Sequence, residues 1–513
     1  MHSHLTVTNN TGYTQSLWME VELPIFESLT QHLNVDVCIV GGGIVGLTCA
    51  YTLAKKGKSV AVLDRGTIAG GETARTTAHL TWMLDDRFFD LEKLFGEEKT
   101  RLAAQSHAAA IDYIEQIIHE EDIDCDFERV DGYLFVPPHT SQEVLDNEFT
   151  TLQKIGMPIE RFSRAPFSST FDTGPCLKVK RQAQFHILKY IKGLIKAIQK
   201  YQGLIFTQTH VNHVEGGNIC LVKTDSESVV SSHSVIIATC TPINHRFFIH
   251  TKQAAYRTYV ITASVPKKSV PKGLYWDTSD PYHYIRIQKN HHSSEEDILI
   301  IGGEDHKTGQ YFDMEKRYAH LEKWARLRFP MIKQIISHWS GQVYEPIDSL
   351  AFIGRDPKDK NIYIATGDSG NGMTHGTIAG ILLPDLIHKK QNPWEDLYDP
   401  QRKTLLAITE FVHENANAVS QYRDWLLPGE KKKIEALKPE NGLILRRGVK
   451  KIAIYKDIYN QIHIHSAFCP HLGGCLRWNK GEKTWDCPVH GSRFDGRGSA
   501  ICGPAISHLS SEE

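Results

Sequence analysis

With 513 residues, 41% of them hydrophobic and 23% charged, the chain has an ordinary globular composition. It is long enough for about three domains with large cores, and disordered or low-complexity classes are excluded. Lys and Arg number 58 against 60 Asp and Glu, and a net charge of -2 offers no general field for nucleic acid or an anionic membrane.

The charge is uneven along the chain. Residues 431–513 carry 14 Lys and Arg and 8 Asp and Glu, a net of +6 that leaves -8 on the remainder. A basic module beside an acidic body hints at two units that dock. The opening residues MHSHLTVTNNTGYTQSLW have neither the basic nor the apolar block of a secretory signal. The longest apolar stretch, residues 35–54, is interrupted by Asp36 and by Gly41, Gly42, Gly43 and Gly46, which makes it a poor membrane span and a good buried strand–turn–helix. Ten cysteines, four of them crowded into 469–502, suit a metal site better than a disulfide scaffold. A cytoplasmic protein with no membrane span is expected.

The segment 35–66 is the clearest βαβ unit. An apolar run over 35–40 suits a parallel strand buried on both faces, helical spacing covers 47–56, and a second strand ends at Asp64. Between them lies Gly41-x-Gly43-x-x-Gly46. In that context Gly41 serves the tight turn, Gly43 the approach of backbone to a pyrophosphate, and Gly46 close helix–strand packing. The free N–H groups of the helix start favour phosphate. Asp64 stands where an acid accepts from ribose hydroxyls. On spacing alone the nucleotide is NAD or FAD.

Further along, 86–121 reads as long helix, 125–138 and 254–303 as strand-rich, and 234–239 as another buried strand. Residues 361–378 read as strand, glycine-rich turn and helix. NPWEDLYDP (392–400) closes the body and a helical connector follows. Short alternating strands fill 442–471.

The glycine motif, the strand 234–239 and IATGDSGNGMTHGTIAGILLPDLI (364–387) together resemble the D-amino-acid-oxidase-like superfamily of FAD oxidoreductases. The resemblance implies that a late glycine turn, with Gly367, Gly370, Gly372, Met373 and Thr374, brings a helix N-terminus to the flavin. There, N–H groups stabilise the negative charge of the reduced ring. It also implies a second flavin-contacting loop, GGETARTTAHLT (70–81), with Thr73, Arg75, Thr76 and Thr77. That loop and the late turn carry no thiol, so FAD is expected to be non-covalent, with His79 as the dissenting residue. His306, in GGEDH after a strand, is the candidate on the substrate side; Trp339 and Tyr344 read as core.

Cys469-Pro470-His471 is followed after 15 residues by Cys487-Pro488-Val489-His490. Two thiolates and two imidazoles at this spacing suit zinc in principle. With the flanking HLGG and HGSRFD, the segment 441–506 closely resembles a Rieske [2Fe–2S] domain, which assigns Cys469 and Cys487 to one iron and His471 and His490 to the other. Many such domains carry two further cysteines that bridge the loops. Here Gly474 and Val489 stand in those places and Cys475 is displaced by one residue, so no loop-bridging disulfide is expected. Ser492 is placed to donate a hydroxyl to a cluster sulfur, whereas Phe494 has none to give.

The expected architecture is α/β plus small all-β. It comprises an N-terminal extension (1–33), a Rossmann-like FAD domain with an interleaved β-rich substrate subdomain (34–390), a helical connector (391–433) and a C-terminal Rieske β-fold (434–513). The expected activity moves electrons from a small molecule, an amine or amino acid, through FAD to one [2Fe–2S] cluster and an external electron partner. The alternatives are a reductase running the other way and a non-enzymatic redox sensor.

Overall fold

The computed structural model describes residues 11–512 apart from 168–170, 245–248, 312, 405–406, 426–433 and 449. The first ten residues of the expected N-terminal extension and 426–433 of the expected connector lie outside the described residues.

Apolar runs pair where parallel pairing buries both faces. Leu33–Val40 lies between Val60–Leu63 and Val229–Ile237, parallel to both, and Ile362–Thr366 continues the parallel order. Leu204–Phe206 adds to the far side, and Phe352–Arg355 closes the near edge antiparallel. All four residues of Val60–Leu63 and all five of Ile362–Thr366 are buried, as sheet centres with covered faces require.

Helix Ile44–Lys55 and helix Gly372–Ile387 pack directly on each other. Their contact is close because Gly376 and Gly380 set bare backbone against Ile44 and Thr48. The N-termini of both helices therefore open at the same end of the sheet. The helical reading of 86–121 corresponds to Phe88–Glu120, which bends at Gly96, a non-helical residue with φ 78°.

A second, nine-stranded sheet is built mostly from antiparallel pairs, with long strands Gln253–Pro266, Glu296–Lys307 and Gln334–Pro346 side by side. Its strands come from between the strands of the first sheet, so the substrate subdomain is interleaved in sequence as expected. At the C-terminal end stand two small antiparallel sheets of three and four strands. They enclose their own apolar core around Trp485, Phe494, Leu476 and Ala453. Helix Ile408–Ser420 and the turn Gln421–Trp425 lead into them. Among the described residues no helix is long and apolar enough to cross a membrane.

Candidate active site and electron-transfer centre

A cavity of about 310 Å³ lies where the two helix N-termini open. Gly41, Gly43, Asp64, Thr73, Arg75, Thr76, Thr77, Gly367, Gly370, Gly372 and Met373 all line it. Two expected residues support the cavity from behind. A side chain at Gly46 would strike the carbonyl of Gly41, so this glycine sets the closeness of helix and strand. Thr374 is buried, bonded to His107 Nδ1 at 2.7 Å and donating to Asn371 O.

Local hydrogen bonds fix the cradle. Thr73 Oγ1 accepts from Ile44 N at 3.1 Å, across from the first glycine turn. Asp64 accepts from Gly42 N at 2.7 Å and from Gly66 N at 2.8 Å, so its carboxylate also shapes the loop that it faces. In the late turn, Gly370 has φ 71° and its missing side chain leaves the space that the Asp85 carboxylate occupies. Asp368 accepts from Tyr344 N at 3.0 Å and tethers the turn to the second sheet.

Arg75 departs from its expected role. It reaches the cavity wall, but its guanidinium is turned to other partners: Thr14 O at 2.8 Å, Ser340 O at 2.6 Å and the carboxylate of Glu482 at 3.3 Å. Glu482 belongs to the C-terminal module and is fully buried. It also accepts from Thr14 N at 3.1 Å, Thr14 Oγ1 at 2.5 Å and Ser340 Oγ, and lies 3.7 Å from Arg257 Nη1. Burial pushes its carboxyl up, but Arg75, Arg257 and Arg493 outweigh that and hold it down at about 2.

The same C-terminal module supplies part of the cavity wall, through Ile501, Cys502, Gly503, Ala505 and Ile506. Tyr344 Oη donates to Gly503 O at 3.0 Å, and Arg65 Nη2 donates to Ile501 O. The Cys502 thiol is hydrogen-bonded to that of Cys240 on the flavin side. Gln342, another lining residue, donates from Nε2 to Gly491 O at 3.0 Å, one residue from His490.

In the C-terminal module the two expected loops meet. The thiols of Cys469 and Cys487 are hydrogen-bonded to each other, and the rings of His471 and His490 stand 5.1 Å apart. Each loop is tightly closed on its own cysteine: Gly473 N donates to Cys469 O at 2.8 Å and Gly491 N to Cys487 O at 3.0 Å. Ser492 donates to the Cys469 sulfur, as its place in the sequence suggested, and accepts from Ala505 N at 3.0 Å. Cys475 is free and buried. Where a loop bridge would stand, Val489 packs against bare Gly474. A side chain there would meet Val489 Cγ2 at 2.6 Å and the Cys487 sulfur at 2.8 Å.

His306 does not line the cavity. Its Nε2 bonds Tyr259 Oη at 2.8 Å and its Nδ1 meets Lys307 O at 2.9 Å, beside a small cleft shared with Arg477 and Trp478. The reason is strand alternation: its neighbour Asp305 points to the cavity instead. Sequence reasoning missed Asp305, Asp85, Gln342 and Glu482. Only Asp305 had a local signal, as the acid beside the histidine that attracted notice. The ring of His250 lies 5.0 Å from that of His471.

The residues fit both groups. The first glycine turn presents backbone where side chains would collide, and the late helix turns its start to the same cavity, as a dinucleotide with an anionic ring requires. The donor set divides into a thiol pair and an imidazole pair, as a Rieske cluster requires.

Fold and site thus define an oxidoreductase that joins a flavin domain to an iron–sulfur domain. Residues 36–386 match the FAD dependent oxidoreductase family DAO, and 425–512 match the Rieske [2Fe-2S] domain. The chain belongs to the FAD-dependent oxidoreductase (DAO) family, which binds FAD, and carries a Rieske domain that binds a [2Fe–2S] cluster. It is 31% identical over 491 residues to the Rieske 2Fe-2S iron-sulfur protein YhfW of Bacillus subtilis, covering 95% of each chain. It is 25% identical to gamma-glutamylputrescine oxidoreductase of Escherichia coli, covering 71% of this chain and 85% of that one. The crystal structure of glycine oxidase from Geobacillus kaustophilus superposes with a TM-score of 0.60 at 19% identity, covering 72% of this chain and 99% of that one, and so shares the fold.

Four outcomes are expected of this site. Acid precipitation should release free FAD, with no flavin left in the protein pellet. Glu482→Ala leaves Arg75 and Arg257 buried without their counter-charge, which should cost on the order of 3–5 kcal/mol in thermal or denaturant unfolding. Because the folded carboxyl of Glu482 lies below its unfolded value, the stability that it contributes is present above about pH 4.5 and is lost as pH falls towards 2. A stability titration of wild type against Glu482→Gln should show that loss in the wild type alone. Gly474→Ala overpacks the cluster loops by about 1–3 kcal/mol. Iron and sulfide per chain should fall while FAD per chain stays constant.

Proposed function

We propose that the protein oxidises a small amine or amino acid at FAD and passes the electrons, one at a time, through the Rieske cluster to an external acceptor. The observation that supports this reading most is the shared wall: the cavity that fits the flavin is closed partly by 501–506 of the Rieske module, and Gln342 links it by one hydrogen bond to the residue beside His490. FAD, held by the Gly41–Gly46 turn and the start of helix Gly372–Ile387, would supply a two-electron acceptor for hydride that can release its electrons singly.

The chain's own residues set the conditions for that chemistry. The start of helix Gly372–Ile387 carries no side-chain cap and opens on the cavity, where it would favour negative charge on a bound ring. The second sheet and its connections contribute Thr258, Trp276, Tyr282, Tyr284 and Asp305 to the lining of the same cavity. Gly491 lies against Ala255, so the histidine loop of the cluster rests on the same sheet. The lone pair of a neutral amine closes the C=N bond as the hydride leaves, so an ammonium substrate first loses a proton, which the lining carboxylates Asp85 and Asp305 are placed to take.

Anaerobic stopped-flow mixing with an oxidisable amine should show bleaching at flavin wavelengths followed by reduction at cluster wavelengths. The internal step should change by less than about twofold on raising salt to physiological ionic strength, because buried contacts are screened little. Failure of the reduced flavin to reduce the cluster at any salt would reject the relay. Cluster reduction ahead of the flavin by an external donor would reverse its direction.

A further inference from the structure

The substrate side of the cavity has an unusual polarity. Asp85 and Asp305 both line it, together with Tyr282, Tyr284 and Trp276. Asp85 reaches in beside Gly370 of the late turn and accepts from Tyr282 Oη at 3.0 Å. The Asp305 carboxylate is hydrogen-bonded to Thr258, and its Oδ1 is buried with no partner among the described residues. Tyr284 is held by Thr258 at 2.7 Å, and its ring centroid lies 5.6 Å from that of Tyr282. Carboxylates framed by aromatic faces are the chemistry of alkylammonium recognition.

Among the described residues no cationic side chain on this wall is left for a substrate carboxylate. Of the two arginines that line the cavity, Arg75 is held by Glu482 and Arg65 sits beside Thr209 and His210, bonded to Ile501 O. His79 is kept neutral, pushed down to about 3 by burial and by Arg286. Arg87 and Arg317, whose charges act on Asp85 and Asp305, do not line the cavity. Burial drives the Asp85 carboxyl up to about 6, and burial together with Asp85 drives Asp305 to about 7. Two acids facing one cavity are both ionised most readily against two positive charges, whereas against one the second acid is protonated.

We propose that this cavity takes a dicationic alkyl amine with no carboxylate beside the reacting carbon, with Asp85 facing the reacting nitrogen and taking its proton before the hydride leaves, and Asp305 facing the remote cation. The proposal rests on the amine-oxidation reading above, and its test separates the two. Oxidised holoenzyme is titrated with hexamethonium, whose two quaternary nitrogens have no lone pair to drive hydride loss, and binding is read as perturbation of the flavin spectrum. Putrescine, butylamine, glycine and L-proline are then compared as anaerobic flavin reductants.

Hexamethonium should perturb the flavin, and putrescine should reduce it faster than butylamine or either amino acid. Asp305→Asn should weaken hexamethonium binding by roughly tenfold or more, as loss of one charge-assisted contact predicts. Asp305→Glu, which keeps the charge, should restore most of it. Asp85→Asn supplies the second test if Asp305→Asn does not retain FAD. Faster reduction by glycine or L-proline, or hexamethonium binding within about twofold of wild type in both Asn variants, would overturn the proposal. Charge-dependent hexamethonium binding without reduction by any amine would keep the dication site and reject the oxidation reading.

Discussion

A single buried carboxylate holds the two halves of this protein in register. Glu482 leaves the C-terminal module, enters a region with no water to solvate it, and is tolerable there only because Arg75 and Arg257 already wait in the flavin and substrate parts. Arg75 comes from the loop that also lines the flavin cavity, and Arg257 from the longest strand of the second sheet. One charge therefore ties cofactor loop, substrate sheet and iron–sulfur module together. The distance between redox centres follows from that tie, since an electron-transfer module that swung on a tether would have no fixed path to the flavin.

The interface also qualifies the sign pattern of the sequence. The C-terminal module is basic and the body acidic, and exposed pairs such as Lys480–Glu315 follow that sense. The buried pair reverses it, with an acid from the basic module set between arginines of the acidic body. Net charge sums over surfaces that water screens, whereas the contact that matters lies where screening is weak.

What was legible in the sequence was what is local in the chain. Gly41, Gly43 and Gly46 occupy one turn, and Cys469 with His471 and Cys487 with His490 occupy two short loops, so spacing alone carries their geometry. The strand and helix around each motif were equally readable, because apolar runs and helical periodicity are local too. Glu482, Gln342 and Asp85 were not readable, because each acts on residues more than a hundred positions away. Arg75 was placed in the correct loop, but its partner lies 407 residues further on, and nothing nearby announces it. His306 and Asp305 show the finest limit: alternation on one strand decides which of two adjacent polar residues faces the cavity, and a one-residue difference in reading exchanges them.

The packing of Val489 on Gly474 has a consequence for how the iron–sulfur centre ages and fails. A pair of cluster loops joined by a disulfide has a scaffold that is itself a redox group, and a strong enough reductant acts on the centre and on its frame together. Here the frame is held by shape. Electron supply and structural integrity are thereby uncoupled, and the centre can be cycled under strongly reducing conditions without loosening its own housing. The vulnerability moves instead to volume: one methyl group in the wrong place does what a reductant cannot.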